Sequence, residues 1–135
     1  MISYAKIEDI VGILELDKHI AKSILEHKIR NSEVYVAREN STVIGVLRYS
    51  LFWDNTPFMN MLYIRSAFQR KGLGLSMVIH WEAEMSAKGY HSVMTSTQSN
   101  ETAQHFYRKI GYKDIGGLLL PNEPLEIVFM KEIAA

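Results

Sequence analysis

The chain has 135 residues, fifteen Lys or Arg against fifteen Asp or Glu, and no cysteine. That length suits one domain, residues 1–135, that buries roughly two-thirds of its unfolded surface without help from a disulfide or metal. The missing cysteine excludes a disulfide framework and thiolate chemistry, and zero net charge removes the field that gathers nucleic acid or anionic membrane. MISYAKIEDI is not built as a signal peptide, and no run reaches the roughly 18 apolar residues of a membrane span. We expect a soluble, cytoplasmic protein with no nucleic-acid and no membrane partner.

Ile2 to Tyr4 predicts a short strand. Ile7, Ile10, Val11 and Leu14 recur at helical spacing, and Ile20, Ile24 and Leu25 suggest a second helix through about Lys28. EVYVAR and TVIGVLRYSLFW, with ENS between them, read as a hairpin. DNTP is turn chemistry, and Pro57 is expected to block a regular ladder there. FMNMLYI, Phe58 to Ile64, is the next strand. From Leu73 the period changes: Gly74, Val78, Trp81 and Met85 share one helical face, stopped at Lys88 and Gly89. SVMTST is a strand. Ala103, Phe106, Tyr107 and Ile110 form a second apolar stripe ended by Gly111. DIGGLLL and LEIVFMKEI close the chain as two strands around PNEP. The order β-α-α-β-β-β-α-β-α-β-β describes a mixed α/β (α+β) sheet with helices packed on it, and FMNMLYI and SVMTST as its parallel pair. Ligands of such sheets bind near the carboxyl ends of strands.

QRKGLG, Gln69 to Gly74, follows a strand and opens a helix. A helix start carries unpaired N–H groups and partial positive charge, and glycine admits a ligand to the backbone. Arg65, Arg70 and Lys71 add cations. The stretch lacks the phosphate-loop GxxxxGK[ST] pattern and the third glycine of a dinucleotide fingerprint. On these residues alone, an anion site and a plain glycine turn remain equally open.

LYIRSAFQRKGLG resembles the acetyl-CoA-binding motif of the GNAT superfamily of N-acetyltransferases, Q/R-x-x-G-x-G/A, with Gln69, Gly72 and Gly74 at the defining positions. NETAQHFYRKIGY resembles the second signature of that family, through Asn100, Ala103, Tyr107, Gly111 and Tyr112. EVYVARENSTVIGVLRYS looks like the family's hairpin, with Gly45 in its usual place. The resemblance runs from Ile2 to about Ile133. It implies the GNAT fold: a mixed, mostly antiparallel sheet with helices on both faces, whose fourth and fifth strands start parallel and splay around the cofactor. It implies acetyl-CoA as cosubstrate, an amine-bearing acceptor and no metal. By the same resemblance, the backbone of Leu62, Tyr63 and Ile64 pairs with the pantetheine arm. The amides of Gln69, Arg70, Lys71, Gly72, Leu73 and Gly74 hold the pyrophosphate. Asn100, with Ala103 beside it, meets the pantetheine, and Tyr107 points its hydroxyl at the thioester sulfur. Dimers are common in the family, and DIGGLLLPNEPLEIVF has enough apolar strand to support a homodimer.

Acyl transfer to an amine needs a neutral amine, a polarised carbonyl and a protonated leaving thiol. A tyrosine can supply that proton and a backbone N–H can polarise the carbonyl. Tyr107 also fits a half-buried core tyrosine with a wet hydroxyl. Where many relatives carry a glutamate on the fourth strand, this chain has Asn60, which takes no proton at neutral pH. Ordered water, Asp54 or His19 are the remaining routes. Asn100 also reads as a helix N-cap. Glu15, Asp17 and Glu26 read as a solvated helix face or as an amine-binding surface. The missing acid leaves a second reading, an acyl-CoA-binding regulatory module without catalysis.

Overall fold

The computed structural model describes residues 1–134. Among them seven strands form one sheet in the order β1-β2-β3-β4-β5-β7-β6. The strands are β1 (Ile2–Tyr4), β2 (Val34–Glu39), β3 (Thr42–Phe52), β4 (Thr56–Ile64), β5 (Ser92–Gln98), β6 (Lys113–Leu118) and β7 (Glu126–Glu132). The helices are α1 (Ile10–Leu16), α2 (Lys22–Arg30), α3 (Leu73–Ala87) and α4 (Ala103–Lys109). β4 and β5 run parallel, at Phe58↔Met94 and Met59↔Thr95, whereas β1/β2, β2/β3, β5/β7 and β6/β7 are antiparallel. This is the mixed sheet that the element order implies. The chain divides into two compact units, Met1–Ser50 with Asn60–Ala83, and Leu51–Met59 with Glu84–Ala135.

In the first unit the sheet is covered on both faces. Val34, Val36, Val43 and Val46 pack with Ala5, Ile10, Ile13, Leu25 and Ile29, so α1 and α2 lie over one face. On the other, Tyr35 stacks on Tyr4 with centroids 4.9 Å apart and meets the edge of His80 of α3 at 5.4 Å. Tyr49 lies 5.9 Å from Trp81, which is wholly buried with Val78 and Met77. Gly45 is glycine because α3 comes this close: an added Cβ would lie 2.9 Å from Ile64 Cδ1 and 3.0 Å from Met77 Sδ. β2 and β3 join through Asn40, whose φ of 58° is the left-handed conformation that asparagine tolerates.

The expected face of α1 is corrected. Ile10 and Ile13 are buried, while Val11 is 74% exposed. A 3₁₀ turn at Ile7–Asp9 precedes the helix, so a single 3.6-residue count started at Ile7 drifts off the buried face.

In the second unit β5 pairs with β7 over its whole length, and β6 pairs outside β7. α4 lays Tyr107 against Tyr112 at 5.6 Å and Phe129 at 6.1 Å. Pro57 does not block the ladder as expected. β4 begins at Thr56 and contains a buried Pro57, because a proline beside a strand's first residue removes only one N–H and keeps an allowed φ. The turn before it is tight: Trp53 and Asp54 have φ of 55° and 63°, and Asn55 N–H donates to Phe52 O at 3.2 Å. Two left-handed residues match the twist of a hairpin, yet one of them is tryptophan, 80% exposed.

Candidate functional site

The candidate residues fall into two stretches, one in each unit. In the first unit they follow β4. Leu62 is half-buried, Tyr63 exposed and Ile64 buried. Asn60 is exposed, and its amide donates to Ser50 Oγ at 2.9 Å. Gln69 closes the loop after β4 by donating its side-chain amide to Ile64 O at 2.7 Å, and its own N–H reaches Ser66 O at 3.3 Å. Arg65 is engaged elsewhere on its own unit. Its guanidinium donates to Val43 O at 3.0 and 3.3 Å, with Glu15 Oε1 3.5 Å away. Arg70 and Lys71 are exposed.

Arg70 and Gly72 are both left-handed, φ 62° and 85°, and turn the chain into α3. Ser76 N–H reaches back to Gly72 O at 3.0 Å, closing the helix's first full turn. The N–H groups before it have no helical acceptor, which leaves the start of a 15-residue helix with its dipole directed outward.

In the second unit, β5 leads through a turn to α4. Ser99 N–H donates to Leu125 O at 2.7 Å, and Gln104 holds Ser99 O at 2.8 Å and Glu101 O at 2.7 Å. Asn100 is exposed and is not the N-cap. That position is Thr102, in αR geometry and without a side-chain cap bond, because Gln104 secures the turn through its carbonyls instead. Ala103 is the first residue of α4 and half-buried. Arg108 grips Asp114 with two bonds of 3.0 Å, which raises the arginine and lowers the carboxyl from their ordinary values, and lies 5.5 Å over the Phe129 ring.

Tyr107 is 6% exposed. Burial pushes its phenol up to about 12; a hydrogen bond with Thr95 opposes this and the charge of Glu101 adds to it. The phenol therefore stays protonated across the neutral range. Thr95, itself buried, donates Oγ1 to Met59 O at 3.0 Å. The sequence reading passes over Thr95. Its one signal is polarity at alternate buried positions of β5, Thr95 and Thr97.

The other candidates for base or acceptor contact sit as follows. Asp54 and His19 are exposed, and Asp54 belongs to the left-handed turn. Asp17 is neither on a solvated face nor open to an amine. It is 1% exposed, bonded to Arg48 Nε at 2.6 Å and to His19 N–H at 3.0 Å. Among the described residues there is no cluster of His, Asp and Glu that could hold a metal ion, and no helix long and apolar enough to cross a membrane.

Residues 7–112 match the model of the acetyltransferase (GNAT) family. The chain belongs to that family. This GNAT chain is 27% identical over 106 residues to an uncharacterised N-acetyltransferase of Chlorobaculum tepidum, covering 78% of itself but 64% of that protein. It thus spans less than two-thirds of that relative. The fold is shared with Ard1 from Thermoplasma volcanium, with a TM-score of 0.90 at 14% identity over all of this chain and 98% of the other. It is also shared with the PaiA N-acetyltransferase of Thermoplasma acidophilum, solved in complex with coenzyme A, with a TM-score of 0.76 at 18% identity and 98% coverage of both chains. At such identities the likeness to solved structures is one of fold.

Proposed function

We propose that the chain acts as one N-acetyltransferase domain, residues 1–135, moving an acetyl group from acetyl-CoA to a primary amine by direct attack. The observation that carries this reading is the start of α3, where a left-handed Arg70 and Gly72 follow a strand and present helix N–H groups without helical acceptors. Anions are stabilised at such an end. The amides of Arg70, Lys71, Gly72, Leu73 and Gly74 then hold the pyrophosphate. Gln69 shapes the loop from its side chain, since its own N–H already meets Ser66 O. Leu62 and Tyr63 offer backbone groups to the pantetheine, as does the Ile64 N–H. Asn100 and Ala103, at the start of α4 in the second unit, are the further candidates that the family's pattern offers for the pantetheine.

The amine's lone pair attacks the thioester carbonyl carbon, the C–S bond breaks, and the thiolate takes the Tyr107 proton. Asn60 supplies no base, so the proton that the attacking nitrogen sheds leaves through ordered water, and Tyr107 recovers a proton from solvent; an amine that arrives neutral needs no base before the attack. Zero cysteines fit a reducing, cytoplasmic setting. We also propose a homodimer through the exposed apolar side chains around β6, Leu118, Leu119, Leu120 and Leu125.

Calorimetry with acetyl-CoA tests the cofactor half, and free-thiol release with small amines, polyamines and peptide N-termini tests the chemistry. Binding together with acceptor-dependent thiol release is the expected result. No binding at millimolar acetyl-CoA refutes the proposal. Binding without release from any acceptor leaves the acyl-CoA-binding regulatory module. Tyr107→Phe should lower turnover at least a hundredfold, the usual contribution of a general acid, with acetyl-CoA affinity nearly unchanged.

A further inference from the structure

Arg48 is the one arginine that the fold buries, at 9% exposed. A guanidinium has five N–H donors. Arg48 commits one of them, Nε, to Asp17 Oδ2 at 2.6 Å. Its four terminal N–H groups meet no acceptor among the described residues. Neither terminal nitrogen is among the sealed atoms that lack a partner, which are Trp81 Nε1 and Thr97 Oγ1. The terminal edge of Arg48 therefore borders an opening. Arg38 is the contrast: it places Nε and Nη2 on Asp9 and Nη1 on Ser3 Oγ, and has an acceptor for every nitrogen. Asp17 has no more to give Arg48, because its other oxygen accepts the His19 N–H at 3.0 Å. It holds the guanidinium in place and leaves the edge to something else.

The surroundings say which way that edge opens. Arg48 stands opposite Val34 in the β2–β3 register, and Val34 packs with α1 and α2, so Arg48 lies on the face those helices cover. Ser50, two residues on, shares the face, and Asn60 of β4 joins it by donating to Ser50 Oγ at 2.9 Å. Exposure rises along this strip, from buried Val46 and Arg48 through half-buried Ser50 to exposed Asn60. The helical cover ends at Arg48, and the sheet face opens toward β4.

We infer that Arg48 determines acceptor specificity: its terminal edge binds a carboxylate, and the acceptor is an amine that also carries one. The inference rests on the acyl transfer proposed above. Two parallel N–H donors in one plane match the two oxygens of a carboxylate. Asp17 already cancels the charge of Arg48, which suits a singly charged carboxylate better than a dianionic phosphate. The carboxylate is an amino acid's own α-carboxyl or an acidic side chain beside a peptide N-terminus. Anchored at Arg48, the acceptor lies over Ser50 and Asn60 with its nitrogen toward β4. Two residues further along β4 is Leu62, whose backbone is proposed above for the pantetheine.

The experiment measures thiol release with acceptors in matched pairs. Free amino acids are set against their carboxamides, and dipeptide amides with Asp or Glu second against those with Asn or Gln. The wild type should favour the acidic member of one set by roughly ten- to a hundredfold in kcat/KM, the weight of a charge-assisted bond. The set that shows it tells an α-carboxyl from a side chain. Arg48→Lys leaves Asp17 a cation but no two-donor edge, and the preference should disappear. Asp17→Asn combined with Arg48→Met removes both charges together, so none is left buried alone, and should abolish it too. The acid-to-amide ratio is read within one protein, so a general loss of stability or turnover does not move it. Equal use of both members by the wild type overturns the inference, as does a preference undiminished in the double variant. A wild type inert toward every amine overturns the acetyltransferase reading instead. The Arg48 Nε resonance of ¹⁵N-arginine protein, assigned through Arg48→Lys, then decides on the same compounds. Movement with the acidic members alone upholds the carboxylate site, and any other response overturns it.

Discussion

Gly72 and Gly74 lie two residues apart, and the fold needs only the first. Gly72 is left-handed at φ 85°, with nothing within 4 Å of an added Cβ, so the cost of a side chain there is in the backbone. Gly72→Ala should lose about 1–2 kcal/mol in urea unfolding. A Cβ on Gly74 would meet Ile64 Cγ1 at 3.8 Å and Leu62 Cδ2 at 3.9 Å, ordinary contacts inside a helix that prefers alanine. Gly74→Ala should therefore raise Tm by a few degrees while weakening acetyl-CoA binding about tenfold by calorimetry. Unchanged affinity would mean that no ligand approaches that backbone. Tyr107 carries a pH signature of its own. Its pKa rises from 10.0 in the unfolded chain to about 12 in the fold. The neutral phenol is favoured by folding, so its contribution is complete below pH 10 and is lost as pH climbs from 10 to 12. The change amounts to roughly 2–3 kcal/mol. Urea midpoints compared at pH 8 and pH 11 should fall less in Tyr107→Phe than in the wild type.

At the scale of elements, hydrophobic period and glycine stops were enough to read the order of the strands and α-helices, with α3 and α4 stopping just before the left-handed Gly89 and Gly111, though not the 3₁₀ turn before α1. What periodicity could not give was partnership over distance. Asp17 looks like one more acid on a helix surface until Arg48, 31 residues away, is brought to it by β3. The bond from Thr95 to Met59 O, 36 residues before it, depends on the register of β4 with β5. The glycine turn was legible because backbone geometry is local. The fate of Arg65, drawn back to Val43 O, was not. The Asp17–Arg48 pair gives a test at this scale. Removing one partner leaves a buried charge alone, so Asp17→Ala should cost about 3–5 kcal/mol in chemical denaturation. A loss under 1 kcal/mol would show that water reaches the guanidinium.

For the molecule as a whole, the feature that bears on assembly is β6, last in the sheet order and exposed along its length. Unpaired strand edges invite a second chain, and proteins blunt them with bulges. The β6–β7 register shifts between Asp114 and Gly116, which places such a bulge at Ile115. Association would then run through side chains and not through a continued ladder. Leu119 is 88% exposed in the single chain, so Leu119→Lys should leave Tm unchanged. In sedimentation velocity at rising concentration, the proposed dimer predicts that the wild type associates and Leu119→Lys stays monomeric. Equal sedimentation of the two proteins as monomers would remove the dimer.

The chain's two tryptophans also have an optical consequence. Trp81 is sealed from water and Trp53 stands out on its left-handed turn. Acrylamide or iodide should extinguish the red-shifted emission of Trp53 and spare the blue emission of Trp81. A single cuvette can therefore follow the hairpin tip and the α3 packing as separate colours, without a label on either.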